Sequence, residues 1–240
     1  MKNIEWIIVV VSLLALGSGC SPVYGPAIMG NNFPHQARAI YKDSTVKQTW
    51  VSGSVHNGME YQSNEESFLL QAQIHQAYSS QNFRATYGGF IYGGNYDMQR
   101  IQPESLNYFG AGLRGSACVA LGKRRFEYHL VGLQAGWATE VGAFNRWKEE
   151  QAQLGQIVNI NDNNFAIPTM NFFTGFEMKS PDYQRSWGLE MAIGSNGIPF
   201  TFHYTTRRIN AWLQLNMGLI DEENNPQELP PAGFGIGFRL

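Results

Sequence analysis

Residues 233–240 read GFGIGFRL, an apolar–small alternation that holds to the last position. Chain termini ordinarily fray, so a segment kept in register to Leu240 points to a structure that pins it there. Period two places Ala232, Phe234, Ile236, Phe238 and Leu240 on one face, and Gly233, Gly235, Gly237 and Arg239 on the other. The same period returns upstream. Leu213, Leu215 and Met217 oppose Trp212, Gln214 and Asn216. Trp187, Leu189, Met191 and Ile193 oppose Ser186, Gly188 and Glu190. Met170, Phe172, Phe176 and Met178 oppose Asn171, Gly175 and Glu177, with Phe173 interrupting the pattern. Further segments carry Phe109 to Leu121 against Gly110, Gly112, Arg114, Ser116 and Cys118, and Phe68 to Tyr78 against Gln71, Gln73 and His75.

A soluble sandwich also alternates, with its second face turned to water. Here that face is built of glycine and amides and is nearly free of lysine. Charged residues are only 15% of the chain, against about 25% in soluble domains. The alternating segments reach the roughly 9–11 residues that a strand tilted across a bilayer needs, which is the pattern of an outer-membrane barrel. The net charge of −2 leaves no footprint for nucleic acid.

The connections test this. With a first strand near 45–56, the breaks fall at 58–65, 79–82, 94–106, 122–125, 140–168, 179–184, 194–199, 206–209 and 221–231. Long and short connections alternate, except for the short SNGIP, as expected of long extracellular loops and short periplasmic turns. The expected fold is therefore an all-β, transmembrane, antiparallel up-and-down barrel of about ten strands over residues 45–240, with eight the alternative count. The terminal strand would close against the first, so that no unpaired edge meets lipid.

The N-terminus carries a different signal. Lys2 precedes an apolar run from Ile7 to Leu16, followed by Gly17, Ser18 and Gly19, the arrangement of a secretory signal over residues 1–19. LGSGC (16–20) resembles a bacterial lipobox. The resemblance implies a diacylglycerol and an acyl chain such as palmitate on Cys20, and no other cofactor is expected. Residues 20–44, with three prolines, read as an extended periplasmic tether. Cys118 would then have no intrachain disulfide partner.

The predicted lumen gathers Arg84, Arg114, Arg239, Glu177, Glu190 and His203. Mixed charge in a narrow barrel suggests an ion-paired plug; a selective pore is the alternative. His203, with Thr201 and Thr205 beside it, is the nearest feature to the catalytic groups of lipid A deacylases or outer-membrane phospholipases, but no ordering carboxylate stands at a readable spacing. No catalytic residue and no metal site is expected. In the connection 140–168, Phe144, Trp147, Gln151 and Leu154 fall at helical spacing. They fit either a helix capping the barrel mouth or a partner-contact element.

A lipid-anchored small barrel resembles the accessory outer-membrane proteins of Bacteroidota-type Gram-negative bacteria. This likeness lies in the architecture of the whole chain. It implies a non-enzymatic subunit of a larger outer-membrane complex, such as barrel-assembly or secretion machinery, with other outer-membrane proteins and lipid as partners. A stand-alone porin is the second reading, and a lipid-modifying enzyme the third.

Overall fold

Ten alternating segments can satisfy their backbone groups only by pairing edge to edge and closing, because lipid offers no hydrogen bonds. The computed structural model shows this closure. It describes residues 35–40, 44–60, 65–98, 102–123, 125–154, 167–194, 198–217 and 232–240. The signal segment 1–19 and Cys20 lie outside the described residues.

The strands are β1 (Val46–Glu60), β2 (Glu65–Ser79), β3 (Phe83–Met98), β4 (Gln102–Lys123) and β5 (Phe126–Gly142). After helix α1 (Ala143–Gln153) come β6 (Ile167–Lys179), β7 (Arg185–Gly194), β8 (Ile198–Thr206), β9 (Ile209–Met217) and β10 (Ala232–Arg239). Each strand pairs antiparallel with its sequence neighbours, and β10 pairs with β1 from Trp50↔Arg239 to Asn57↔Ala232. The Leu240 amide donates to the Thr49 carbonyl at 3.0 Å. The C-terminal GFGIGFRL is thus part of the seam of a closed ring.

Two boundaries move. The first strand runs to Glu60 rather than ending near 56, so His56 is an inward strand residue. Most of the expected break at 94–106 is paired, with Asn95 opposite Asn107 and Met98 opposite Gln102. The wall from β3 to β5 is consequently tall, with strands of 16, 22 and 17 residues, whereas β7 to β10 have 8 to 10.

Outward side chains are apolar and bare: Leu113, Val131, Ile91 and Phe234 are all exposed. At the end carrying the short turns, Tyr78, Phe83, Tyr128, Trp187 and Tyr204 point outward within a few residues of a turn. Several are in ring contact with neighbours, as Phe176 is with Trp187 at 6.0 Å. Such a ring of aromatics marks a membrane–water interface. The molecule is an integral membrane barrel of the outer-membrane type.

Inward glycines make room for rings. A Cβ at Gly235 would overlap the Trp212 indole, one at Gly233 the His56 imidazole, and one at Gly132 the Phe173 ring. Phe173 keeps the inward parity of Asn171 and Glu177, so the expected interruption is an apolar residue in a lumen position. In β5 a bulge turns both Leu130 and Val131 outward, between His129↔Gly175 and Gly132↔Phe173. His129 and Gly132 both stay inward as a result.

Candidate functional site

Among the described residues, the barrel encloses the chain's own segment 35–40. Its sequence reads as part of a periplasmic tether; instead His35, Gln36, Ala37, Arg38 and Ala39 are all buried in the lumen. The segment lies extended along β2. The Gln73 amide donates to the His35 carbonyl (3.3 Å), His75 Nε2 to the Ala37 carbonyl (3.1 Å) and the Ser79 hydroxyl to the Ala39 carbonyl (2.6 Å). Partner numbers rise together, so the segment runs parallel to β2, toward the short-turn end where β1 begins. Trp50 and Ala77 pack against Ala37 and Ala39. On the other side, the Thr86 hydroxyl donates to Gln36 Oε1 at 2.5 Å.

Arg38 ties the segment to the far wall. Its guanidinium pairs with Glu190 on β7, donates to His129 Nδ1 on β5 at 3.0 Å, and lies 5.0 Å over the Phe173 ring on β6. His35 stacks on His203 at 4.4 Å and faces Glu190 Oε2 at 3.5 Å. Six residues therefore touch β2, β3, β5, β6, β7 and β8. The cavity left beside them, between His35, Gln36, Arg38, Gln134, Glu190 and Thr201, measures about 40 Å³. At about 10–15 Å³ per water, that holds a few water molecules.

Below this level, Glu127 accepts from Arg84 and from Lys179 (both 2.5 Å). His129 Nδ1 accepts from Arg38, so its proton sits on Nε2, which faces Glu127 Oε1 at 3.3 Å and Glu177 Oε2 at 4.0 Å. Glu127, His129 and Glu177 bring three ligand-type atoms within 4.8 Å of one another, a grouping that the sequence reading did not anticipate. In this geometry Arg84 and Lys179 supply the positive charge there, and the protonated Nε2 has no lone pair for a cation.

Above the segment the filling is aromatic. Leu69, Phe90, Tyr92, Tyr96, Leu106, Tyr108 and Ala138 form one buried cluster with Phe144 of α1. The Tyr92 hydroxyl donates to the Thr139 carbonyl and that of Tyr108 to the Phe68 carbonyl, each at 2.8 Å. The chain turns from β5 into α1 at Gly142, whose φ of 128° excludes most side chains. Asn107 Oδ1 then accepts from the first helical N–H, at Ala143 (3.2 Å). Lys148 reaches down to pair with buried Glu140 and lies 5.0 Å over Phe144.

Among the residues singled out from sequence, Arg84, Arg114, Glu177, Glu190 and His203 all face the lumen and are buried. Arg239 does not belong with them. It has the inward parity, but it sits at the rim, exposed, donating to the Arg207 carbonyl. Phe144 is likewise corrected as a partner-contact residue: at 1% exposure it is a plug in the mouth, stacked on half-buried Trp147 at 5.9 Å. Replacing Phe144 with Ala should cost about 3 kcal/mol of helix docking. Limited proteolysis should then cut within 143–154 faster while the barrel stays intact. His203, also deeply buried, has no hydrogen-bond partner among the described residues; its contact is the His35 ring.

No protein-family model matches this chain, and no curated protein sequence does. Among solved structures it is similar to Neisserial surface protein A, at 7% identity and a TM-score of 0.34 over 82% of this chain and 99% of that one. It is similar to the transport unit of the autotransporter AIDA-I from Escherichia coli, at 9% and 0.46 over 88% and 94%. It is also similar to Ail, the attachment invasion locus protein of Yersinia pestis, at 8% and 0.28 over 83% and 100%. At such identities the likeness is one of fold alone, and the barrel assignment stands on the strand pairing described above.

Proposed function

We propose that this barrel is a non-conducting, non-enzymatic accessory subunit of a larger outer-membrane protein complex, held on the periplasmic side by lipid on Cys20. The observation that carries this reading is the filled lumen. Segment 35–40, the ion pairs below it and the aromatic cluster above it occupy successive levels of the described lumen, which supports a closed barrel. A barrel that is filled along its length has its outer surface, loops and N-terminal region left for work. His203, the nearest residue in sequence to a catalytic group, stacks on the His35 ring, and His203→Ala should leave cellular function unchanged.

The long-loop end offers the testable contact surface. With Phe144 buried, the outer face of α1 includes Arg146, Glu149, Glu150, Gln153 and half-buried Trp147. Affinity purification of the tagged protein from gently solubilised outer membrane should recover other outer-membrane proteins in stoichiometric amount. Replacing Trp147 and Arg146 together with Ser should weaken that recovery without affecting insertion. Recovery of the barrel alone would overturn the accessory reading. Metabolic labelling with a clickable palmitate should mark the wild type and leave Cys20→Ala unmarked; label on the variant would remove Cys20 as the anchor.

A further inference from the structure

Buried charges in proteins are paired, since an isolated ion pays several kcal/mol of desolvation. In the described lumen five cations, Arg38, Arg84, Arg114, Lys148 and Lys179, are buried with four carboxylates, Glu127, Glu140, Glu177 and Glu190. Arg38 pairs with Glu190, Arg84 and Lys179 with Glu127, and Lys148 with Glu140. Glu177 faces the His129 ring. Arg114 is the exception. It is 4% exposed and has no carboxylate partner among the described residues.

Its contacts are neutral. Nη2 donates to Gln73 Oε1, and the guanidinium lies 4.8 Å over the Phe90 ring. The Gln73 amide cannot turn to offer more, because its Nε2 is committed to the His35 carbonyl. Arg114 Nε and Nη1 have no partner among the described residues. Two residues along β4, Ser116 shares a hydrogen bond with Thr86, whose hydroxyl holds Gln36 by its oxygen. The Gln36 Nε2 donor is unpartnered as well. Thus Arg114 carries a buried positive charge with no carboxylate partner among the described residues and two N–H donors of its own unused, in a described lumen that is otherwise charge-matched.

We propose that Arg114 holds a small monovalent anion of the halide class, chloride under ordinary conditions, through Nε and Nη1. One such ion brings the described lumen to neutrality. It also supplies the counter-charge that the described carboxylates give to other cations. The Arg114 guanidinium holds Gln73, whose amide holds the His35 carbonyl, so the anion helps fix segment 35–40 through Arg114 itself.

Crystals of the full-length protein grown in sodium bromide test this directly. One anomalous peak within hydrogen-bonding distance of Arg114 Nε and Nη1 is the expected result. Water alone at that position, or a carboxylate from one of this chain's acidic loops, would overturn the proposal. In detergent solution, bromide should raise the melting temperature over gluconate at equal ionic strength, on the order of 5 °C at an anion concentration about 100 times Kd. Arg114→Gln should abolish the difference between the two salts. An equal melting temperature of the wild type in both salts would also overturn the proposal. Should Arg114→Gln fail to fold, the wild-type bromide crystal still decides.

Discussion

A variant lacking residues 35–40 should pass current in planar bilayers under conditions where the intact protein stays silent. The six residues occupy the middle of the lumen and bridge opposite walls, from Gln73 and His75 on β2 to Glu190 on β7. A ten-strand ring is slightly wider than the roughly eight-strand size that side chains alone can fill, so without the segment the side-chain layers above and below it should not seal the lumen by themselves. The lumen charges that remain are evenly matched in sign, and the resulting pore should discriminate weakly between cations and anions. Arg38→Ala makes the contrast: it removes the pair with Glu190 but keeps the backbone bonds to β2, and it should stay closed. A deletion variant as silent as the wild type would show that the walls close the lumen by themselves. Steady conductance from the wild type would remove the non-conducting reading and promote the channel.

Glu127→Gln should be the most damaging single substitution in the barrel wall. Glu127 is the shared acceptor for Arg84 and Lys179 and also faces His129. The substitution takes a shared carboxylate away from two buried cations, and removing one partner of a buried pair costs about 3–5 kcal/mol. Urea-induced unfolding, followed by loss of the folded barrel's electrophoretic mobility, should shift to lower denaturant. Asp182→Asn is the control. Asp182 lies in an exposed short turn, where it accepts hydrogen bonds from Ser180 and the Gln184 amide, and its loss should change stability by less than about 0.5 kcal/mol. An unchanged Glu127→Gln barrel would mean that Glu177 takes over the pairing.

The ring itself was legible because lipid and lumen impose a strict parity on every strand. Leu213 and Trp212, or Phe234 and Gly235, announce their faces from sequence alone. Parity gives a face, however, and no height. Arg239 has the lumen parity of Gly237 yet stands at the rim, where the lumen has already ended. The set Glu127, His129 and Glu177 was hidden for a related reason. Its first two members are two residues apart on one face, but the third comes from the register of β5 against β6, which the bulge at Leu130–Val131 shifts. Segment 35–40 was hidden for a deeper one. A polar lumen selects the same residues that water does, so HQARAI has the composition of a solvated linker whether it lies outside the barrel or within. Phe144 and Trp147 were recognisable as one stripe of a helix, but a stripe fits a barrel mouth and a partner equally well.

That segment lies only a few residues ahead of β1, the strand on which the ring finally closes. The order in which the ring closes therefore matters. The bonds from Gln73, His75, Ser79 and Thr86 involve only the segment, β2 and β3, so they are compatible with a sheet whose β1–β10 seam is still open. A strip held there would lie on the concave side of the closing sheet, with Arg38 presented to Glu190 and His129. Once Trp50 pairs with Arg239, the strip is enclosed by the wall. The filler of this barrel can then serve as the former around which it closes, and its absence should be felt in the rate of closure.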